Sequence, residues 1–323
     1  MIWRAQSRKE FMGAAGPISA VVEGNGPLVI LMHGWPELGF SYRHQIDPLA
    51  AAGYTVAAPD MRGYGSSAKP EDPALYSIDA HADDMAAIAR GLGRERWVSV
   101  GHDWGSPVAW RCALRFPEQV AAAFSFSVPH RQAASITANE WFDHAYPNRF
   151  YYMRYFQQVG PGEAELEADH RDALKRVYFS LSGDAPKDDW TCHRPIDDPL
   201  LKGLTPPPAG PLSFMTDAEL DVYTAAFVAG GFHGPINWYR NWDANEAQAR
   251  AYGDQRVRQP AGFFAGDKEI VLTMFPGCVE DQRGLCDDLR LERIVPGAGH
   301  WIQQERPAEA TAALLEFLGS VSL

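Results

Sequence analysis

Residues 101–106 read Gly-His-Asp-Trp-Gly-Ser and follow the short apolar run of residues 96–100. Gly101, Gly105 and Ser106 are small, as a sharp turn from strand to helix requires when it lifts its central side chain off the sheet edge. Such a turn usually presents an alcohol or a thiol; here it presents Asp103. A carboxylate, with a reference pKa of about 3.9, is already ionised at neutral pH and needs no base to activate it. Attack on a carbonyl would yield a reactive anhydride. Attack on a saturated carbon that carries a leaving group yields an ordinary alkyl ester, which water can cleave afterwards. Asp103 therefore points to displacement at sp³ carbon, with a strained cyclic ether or an alkyl halide as the electrophile. A halide leaves as a weak base and needs only N–H donors, whereas an ether oxygen leaves as an alkoxide and needs a proton as it goes. Tyrosine, with a reference pKa near 10, can supply one.

The second half of such a reaction needs a base for water. Gly-Ala-Gly-His-Trp (297–301) places His300 on a loop between the strand-like run 288–295 and the helical pattern 306–319. The segment before it, Ala-Gly-Asp-Lys-Glu-Ile-Val (265–271), offers two acids to orient the imidazole. The third residue after Gly266 is the expected place, hence Glu269; Asp267 is the alternative, otherwise a turn or cap residue. The end of the run 120–129, another place where such an acid can sit, holds only Ser125 and Ser127. His-Gly-Trp-Pro-Glu (33–37) follows the first strong strand. Its Trp35 N–H and the Trp104 N–H at a helix start are the expected oxyanion donors. Trp35–Pro36 is a candidate cis peptide, and His33 and Pro36 are expected to shape the turn.

Several elements must hold these residues in place. Runs 27–34, 54–60, 96–103, 120–129, 258–267 and 288–300 are strand-like, and helical patterns 41–53, 77–93, 106–120 and 306–319 alternate with them. Continuous apolar strands between helices imply a largely parallel sheet covered on both faces, an α/β fold. The middle of the chain is aromatic and helical throughout. The expected organisation is core 1–134, a helical cap at 135–252, and core 253–323 carrying the acid and the histidine.

The motifs His-Gly-Trp-Pro-Glu, 60–67 (DMRGYGSS), Gly-His-Asp-Trp-Gly-Ser, 154–160 (RYFQQVG), 234–241 (GPINWYRN) and Gly-Ala-Gly-His-Trp together resemble the α/β-hydrolase-fold epoxide hydrolases over almost the whole chain, including the hydrolase domain of the mammalian soluble enzymes. The two cap motifs discriminate most, because Asp-Trp-Gly also occurs in haloalkane dehalogenases. The resemblance implies that Asp103 is the nucleophile, that Tyr155 and Tyr239 protonate the epoxide oxygen, and that a vicinal diol is the product. It implies no metal or organic cofactor; the partners are a small apolar epoxide and water. Glu269 stands where many members have Asp, a change its orienting role tolerates. Tyr151, Tyr152, Tyr178 and Tyr223 are expected to fill the cap core. The nearest rival is a haloalkane or haloacid dehalogenase, with the Trp104 indole donating to halide. Haloalkane dehalogenases, however, commonly have Asn at the position of Trp35, and fluoroacetate-type enzymes have Arg at that of Trp104. A slow-turnover ligand receptor is the other alternative.

Composition agrees with this reading. A formal charge of −12 without a basic cluster excludes a polyanion-binding surface, so no nucleic acid is expected. The first residues lack the apolar core of a signal peptide, and no run approaches bilayer length. Cys112, Cys192, Cys278 and Cys286 are widely spaced, which fits a reducing cytoplasm rather than a zinc site or disulfide framework. Phe150, Tyr152, Phe156, Phe179, Trp190, Trp238 and Trp242 suggest an apolar pocket under the cap. The reading leaves a homodimer open.

Overall fold

The computed structural model describes residues 3–186 and 194–323; Trp190 and Cys192 lie outside them. Eight strands form one sheet: β1 (Arg8–Gly13), β2 (Gly16–Glu23), β3 (Leu28–Met32), β4 (Thr55–Pro59), β5 (Trp97–His102), β6 (Val120–Phe126), β7 (Val257–Gly266) and β8 (Cys286–Val295). Their order is β1-β2-β4-β3-β5-β6-β7-β8. The β1–β2 and β2–β4 pairs are antiparallel and the remaining pairs parallel. Strands β3 to β8 lie where the sequence placed them. The antiparallel pair β1 and β2 was not anticipated: β1 is an edge strand with Phe11 its single buried residue, so it carries no readable apolar period.

Alternation along β3 shows why the central strands are apolar throughout. Leu28, Ile30 and Met32 join the cluster under the helices Ile78–Gly91 and Gly105–Arg115. Val29 and Leu31 join the opposite cluster, with Ile46 and Leu49 of the helix Arg43–Ala51 and Leu314 and Phe317 of the helix Pro307–Gly319. Successive side chains point to opposite faces, and both faces are covered.

From β3 the chain moves to one side to form β4, then returns past β3 to form β5 on the other side. The loops leaving the C-terminal ends of β3 and β5 therefore open at the same point, the crevice where α/β sheets hold their ligands. Between β6 and β7 every described element longer than an isolated bridge is helical, including Ala138–Ala145, Pro161–Ala168, His170–Ser180, Asp217–Gly230 and Trp242–Arg250. Thr137 with Glu140, and Thr216 with Glu219, close reciprocal capping boxes at two of these helix starts.

One buried group makes the packing sensitive to acid. The His81 ring is fully buried and stacks on Trp238 at 3.5 Å between centroids. Burial, with Arg62 adding to it, holds this imidazole well below its usual range. The folded chain therefore binds this proton less readily than the unfolded chain does. The resulting stability is complete above about pH 6.5 and is lost as pH falls below that value. Thermal melts of His81→Phe between pH 7.5 and 5 should show a smaller fall in Tm than the parent chain; an equal fall would remove His81 from the account.

Candidate active site

Asp103 sits at the end of β5 with φ +49°, a left-handed conformation that non-glycine residues seldom adopt. The turn survives because its neighbours have no side chains to clash. A Cβ on Gly101 would meet the Gly105 carbonyl oxygen at 2.1 Å, and one on Gly105 would meet the Met32 carbonyl oxygen at 2.0 Å. The Asp103 carbonyl accepts from the Ser106 N–H at 2.9 Å, and Trp104 caps the helix that follows. Oδ1 of Asp103 accepts from the Trp35 N–H at 2.7 Å, across the crevice between the two loops. The Trp35–Pro36 bond is cis, as expected from its place in a tight loop. Burial pushes the Asp103 carboxyl up, but His300, His102 and the Trp35 N–H outweigh it and hold the group below its ordinary range.

His300 meets Asp103 Oδ2 at 3.4 Å through Nε2. Its Nδ1 lies 2.9 Å from both carboxylate oxygens of Glu269, a side chain with no solvent exposure. Asp267 does something else: its Oδ1 accepts from the Gly297 N–H at 2.7 Å and ties together the loops after β7 and β8. Burial alone would lower the proton affinity of His300, but the two flanking carboxylates raise it well above the usual histidine range. His33 has the part of a structural residue. Its Nε2 accepts from the Met61 N–H at 2.9 Å and its Nδ1 lies 2.8 Å from the Gly34 carbonyl, so the ring is a neutral strut. The Pro36 carbonyl accepts from the Tyr178 hydroxyl at 2.7 Å.

A second buried pair stands directly behind His300, and sequence reasoning gave it no role. Nδ1 of His102 lies 2.7 Å from Glu37 Oε2, and both side chains are fully buried. His102 Nε2 is 2.6 Å from the carbonyl oxygen of His300, which also accepts from Ser127 Oγ at 2.8 Å. Glu37 Oε1 accepts from the Gln303 and Gln304 amides at 3.0 and 3.1 Å. The His300 N–H donates to the Leu181 carbonyl in the cap at 2.8 Å. Both residues lie inside motifs already singled out. An acid just after a proline reads as a solvated turn, however, and only the fold reveals its burial.

A cavity of about 100 Å³ opens on Asp103, walled among others by Trp104, Pro107, Tyr152, Met153 and Trp242. Tyr239 is 2% exposed, and its ring meets those of Trp104 and Trp35 at 5.1 and 5.8 Å. Burial, then the charge of Asp103, push its phenol well above the usual range, so it stays protonated. The structure places the second expected tyrosine away from the cavity. Tyr155 packs against Phe150 and Phe156, its phenol meets the Glu165 carboxylate, and it does not line the cavity. Tyr152, expected to be cap filling, lines the cavity instead, with its ring 5.6 Å from that of Tyr239. Both tyrosines belong to the four-residue helix Tyr152–Tyr155, whose phase cannot be read from an aromatic run. Tyr151, Tyr178 and Tyr223 are buried as expected. Among the described residues no group of three or more His, Cys, Asp or Glu side chains is placed to hold a metal ion, and no helix is long and apolar enough to cross a membrane.

The pattern of the alpha/beta hydrolase fold family matches residues 27–307. Epoxide hydrolase A of Mycobacterium tuberculosis is 40% identical over 304 residues, covering 93% of each chain. The chain belongs to the α/β-hydrolase-fold epoxide hydrolases. Solved structures of other members superpose closely on this one. The epoxide hydrolase from an endophytic Streptomyces gives a TM-score of 0.93 at 36% identity, over 97% of this chain and 95% of its own. Epoxide hydrolase A from Mycobacterium thermoresistibile gives 0.92 at 36% identity, over 98% and 99%. Among the epoxide hydrolases this chain thus carries an elbow carboxylate, a buried Glu269–His300 pair, and two cap phenols near Asp103: Tyr152 on the cavity wall and Tyr239 packed against Tyr152 and Trp104.

Proposed function

We propose that the enzyme converts an epoxide and water to a vicinal diol through an ester on Asp103. The observation that carries this reading is a carboxylate at the elbow that already accepts a backbone N–H through one oxygen while the other faces His300. Oδ2 attacks an epoxide carbon, the ring C–O bond breaks, and the departing oxygen takes a proton from the Tyr152–Tyr239 pair. Two phenols beside the nucleophile favour a strained ether over a halide, whose departure needs no proton.

Esterification then changes the electrostatics of the site. The charge and hydrogen bond of Asp103 both raise the proton affinity of His300. The ester removes that charge, so the imidazole releases its proton more readily and becomes the base for water, oriented by Glu269. Hydroxide adds to Cγ, and the oxyanion forms at Oδ1 beside the Trp35 and Trp104 N–H groups, each such donor being worth roughly 3 kcal/mol in comparable sites. Collapse expels the diol oxygen, which takes the proton held by His300. The phenolate formed in the first step regains its own from solvent.

A single turnover in ¹⁸O water, with enzyme in excess, tests the route. The label should enter the Asp103 side chain, and the first diol released should carry none. Label in that first diol, with none in Asp103, would mean that water attacks the epoxide directly.

A further inference from the structure

Behind Trp104 lies a second cavity of about 100 Å³, between the core helix Gly105–Arg115 and the cap helix Trp242–Arg250. It shares Trp104, Pro107, Val128, Pro129, Arg131 and Trp242 with the cavity at Asp103, so the two adjoin. Three polar groups that line it are buried and make no hydrogen bond: Trp110 Nε1, Trp242 Nε1 and Asn245 Nδ2, in residues 2%, 6% and 5% exposed. The Asn245 amide is fixed in orientation because its Oδ1 accepts from the Ile78 N–H at 2.8 Å, which leaves its NH₂ as the unpaired end. All three groups are donors. An enclosed donor without a partner is costly, and three around one space point to an acceptor that would occupy it.

Four oxygens around the same space already have donors. The Gln255 carbonyl is 2.8 Å from His130 Nε2, and Gln255 Oε1 accepts from the Ala133 N–H at 2.9 Å. The Asn245 carbonyl accepts from Arg111 Nη2 at 3.2 Å, and Glu246 Oε2 from the Ala134 N–H at 2.5 Å. Water can sit in such a space, and a ligand oxygen that displaces it must meet the same three donors. A carboxylate fits poorly, because Arg111 is paired with Asp79 and Arg131 with Glu246. The complementary occupant is an uncharged oxygen with lone pairs only: a ketone, ester, amide or ether. The volume holds about three water-sized groups, enough for the end of a chain.

We propose that this cavity is a second subsite, taking an uncharged oxygen acceptor carried by an epoxide whose ring lies at Asp103. The assignment rests on the epoxide-hydrolysing reading above. Its test is a series of terminal epoxides of equal chain length: one all-hydrocarbon, others with a ketone at successive positions, and one ending in carboxylate. For the intact enzyme, kcat/KM should peak for one ketone position, at about fivefold over the hydrocarbon for each N–H engaged. The carboxylate should gain nothing. In Trp110→Phe, and separately in Trp242→Phe, that ketone-to-hydrocarbon ratio should fall toward one. Turnover of the hydrocarbon with no favoured ketone position would overturn the subsite and leave the activity standing. So would a preference that survives both substitutions, or a carboxylate that outperforms every ketone. Turnover of no epoxide in the series would overturn the activity itself, and the subsite with it.

Discussion

On the proposed route, His300→Gln should form the ester and fail to release it. After exposure to an epoxide, intact-protein mass spectrometry should show a population heavier by the mass of that epoxide, and peptide mapping should place the addition on Asp103. Steady-state kcat should fall by about 10³-fold or more, the scale seen when one member of a coupled nucleophile–base set is removed. Ring opening should survive, because Asp103 is an anion without help. Its pH dependence should shift, however. The interactions with His300 are among those that lower the Asp103 pKa, and the burial that raises it stays. Without the imidazole, the acid limb of the alkylation rate should therefore move to higher pH. A variant that gains no mass, or gains it elsewhere, would remove Asp103 from its role.

The cap phenols provide the second large effect. Tyr239→Phe and Tyr152→Phe should each slow ring opening by about 10²-fold, within the range that general acids supply, and the double substitution should slow it further. Tyr155→Phe should stay within about twofold, since that phenol faces Glu165 rather than the cavity. The measurement is the pre-steady-state rate of ester formation, which isolates the step in which the epoxide oxygen is protonated. Loss of that rate in Tyr155→Phe, with Tyr152→Phe nearly intact, would reverse the geometric assignment.

The contrast between Tyr152 and Tyr155 shows where a sequence stops being readable. Strands β3 to β8 were legible because a buried parallel strand must be apolar on both faces, a constraint that acts on every residue in it. Asp103, Glu269 and His300 were legible because each follows a strand at the C-terminal edge of the sheet, where the chain must turn and small residues mark the turn. Strand β1 was not, since one buried residue makes no pattern. The inward face of a single helical turn in an aromatic cap was not either, because packing around it decides its phase. Glu37 and His102 escaped for a related reason. Their burial follows from contacts with Gln303, Gln304 and His300, some two hundred or more residues away along the chain.

The amide and carbonyl of His300 are held from opposite sides, by Leu181 above and by His102 and Ser127 below. A roof that lifted as a rigid flap would break the hold on the His300 amide each time it opened. Core and cap are therefore joined by hydrogen bonds at the residue proposed to activate water. Opening the cap as a rigid body would cost the Leu181 hydrogen bond, so the backbone on which that imidazole is mounted depends on both halves of the molecule.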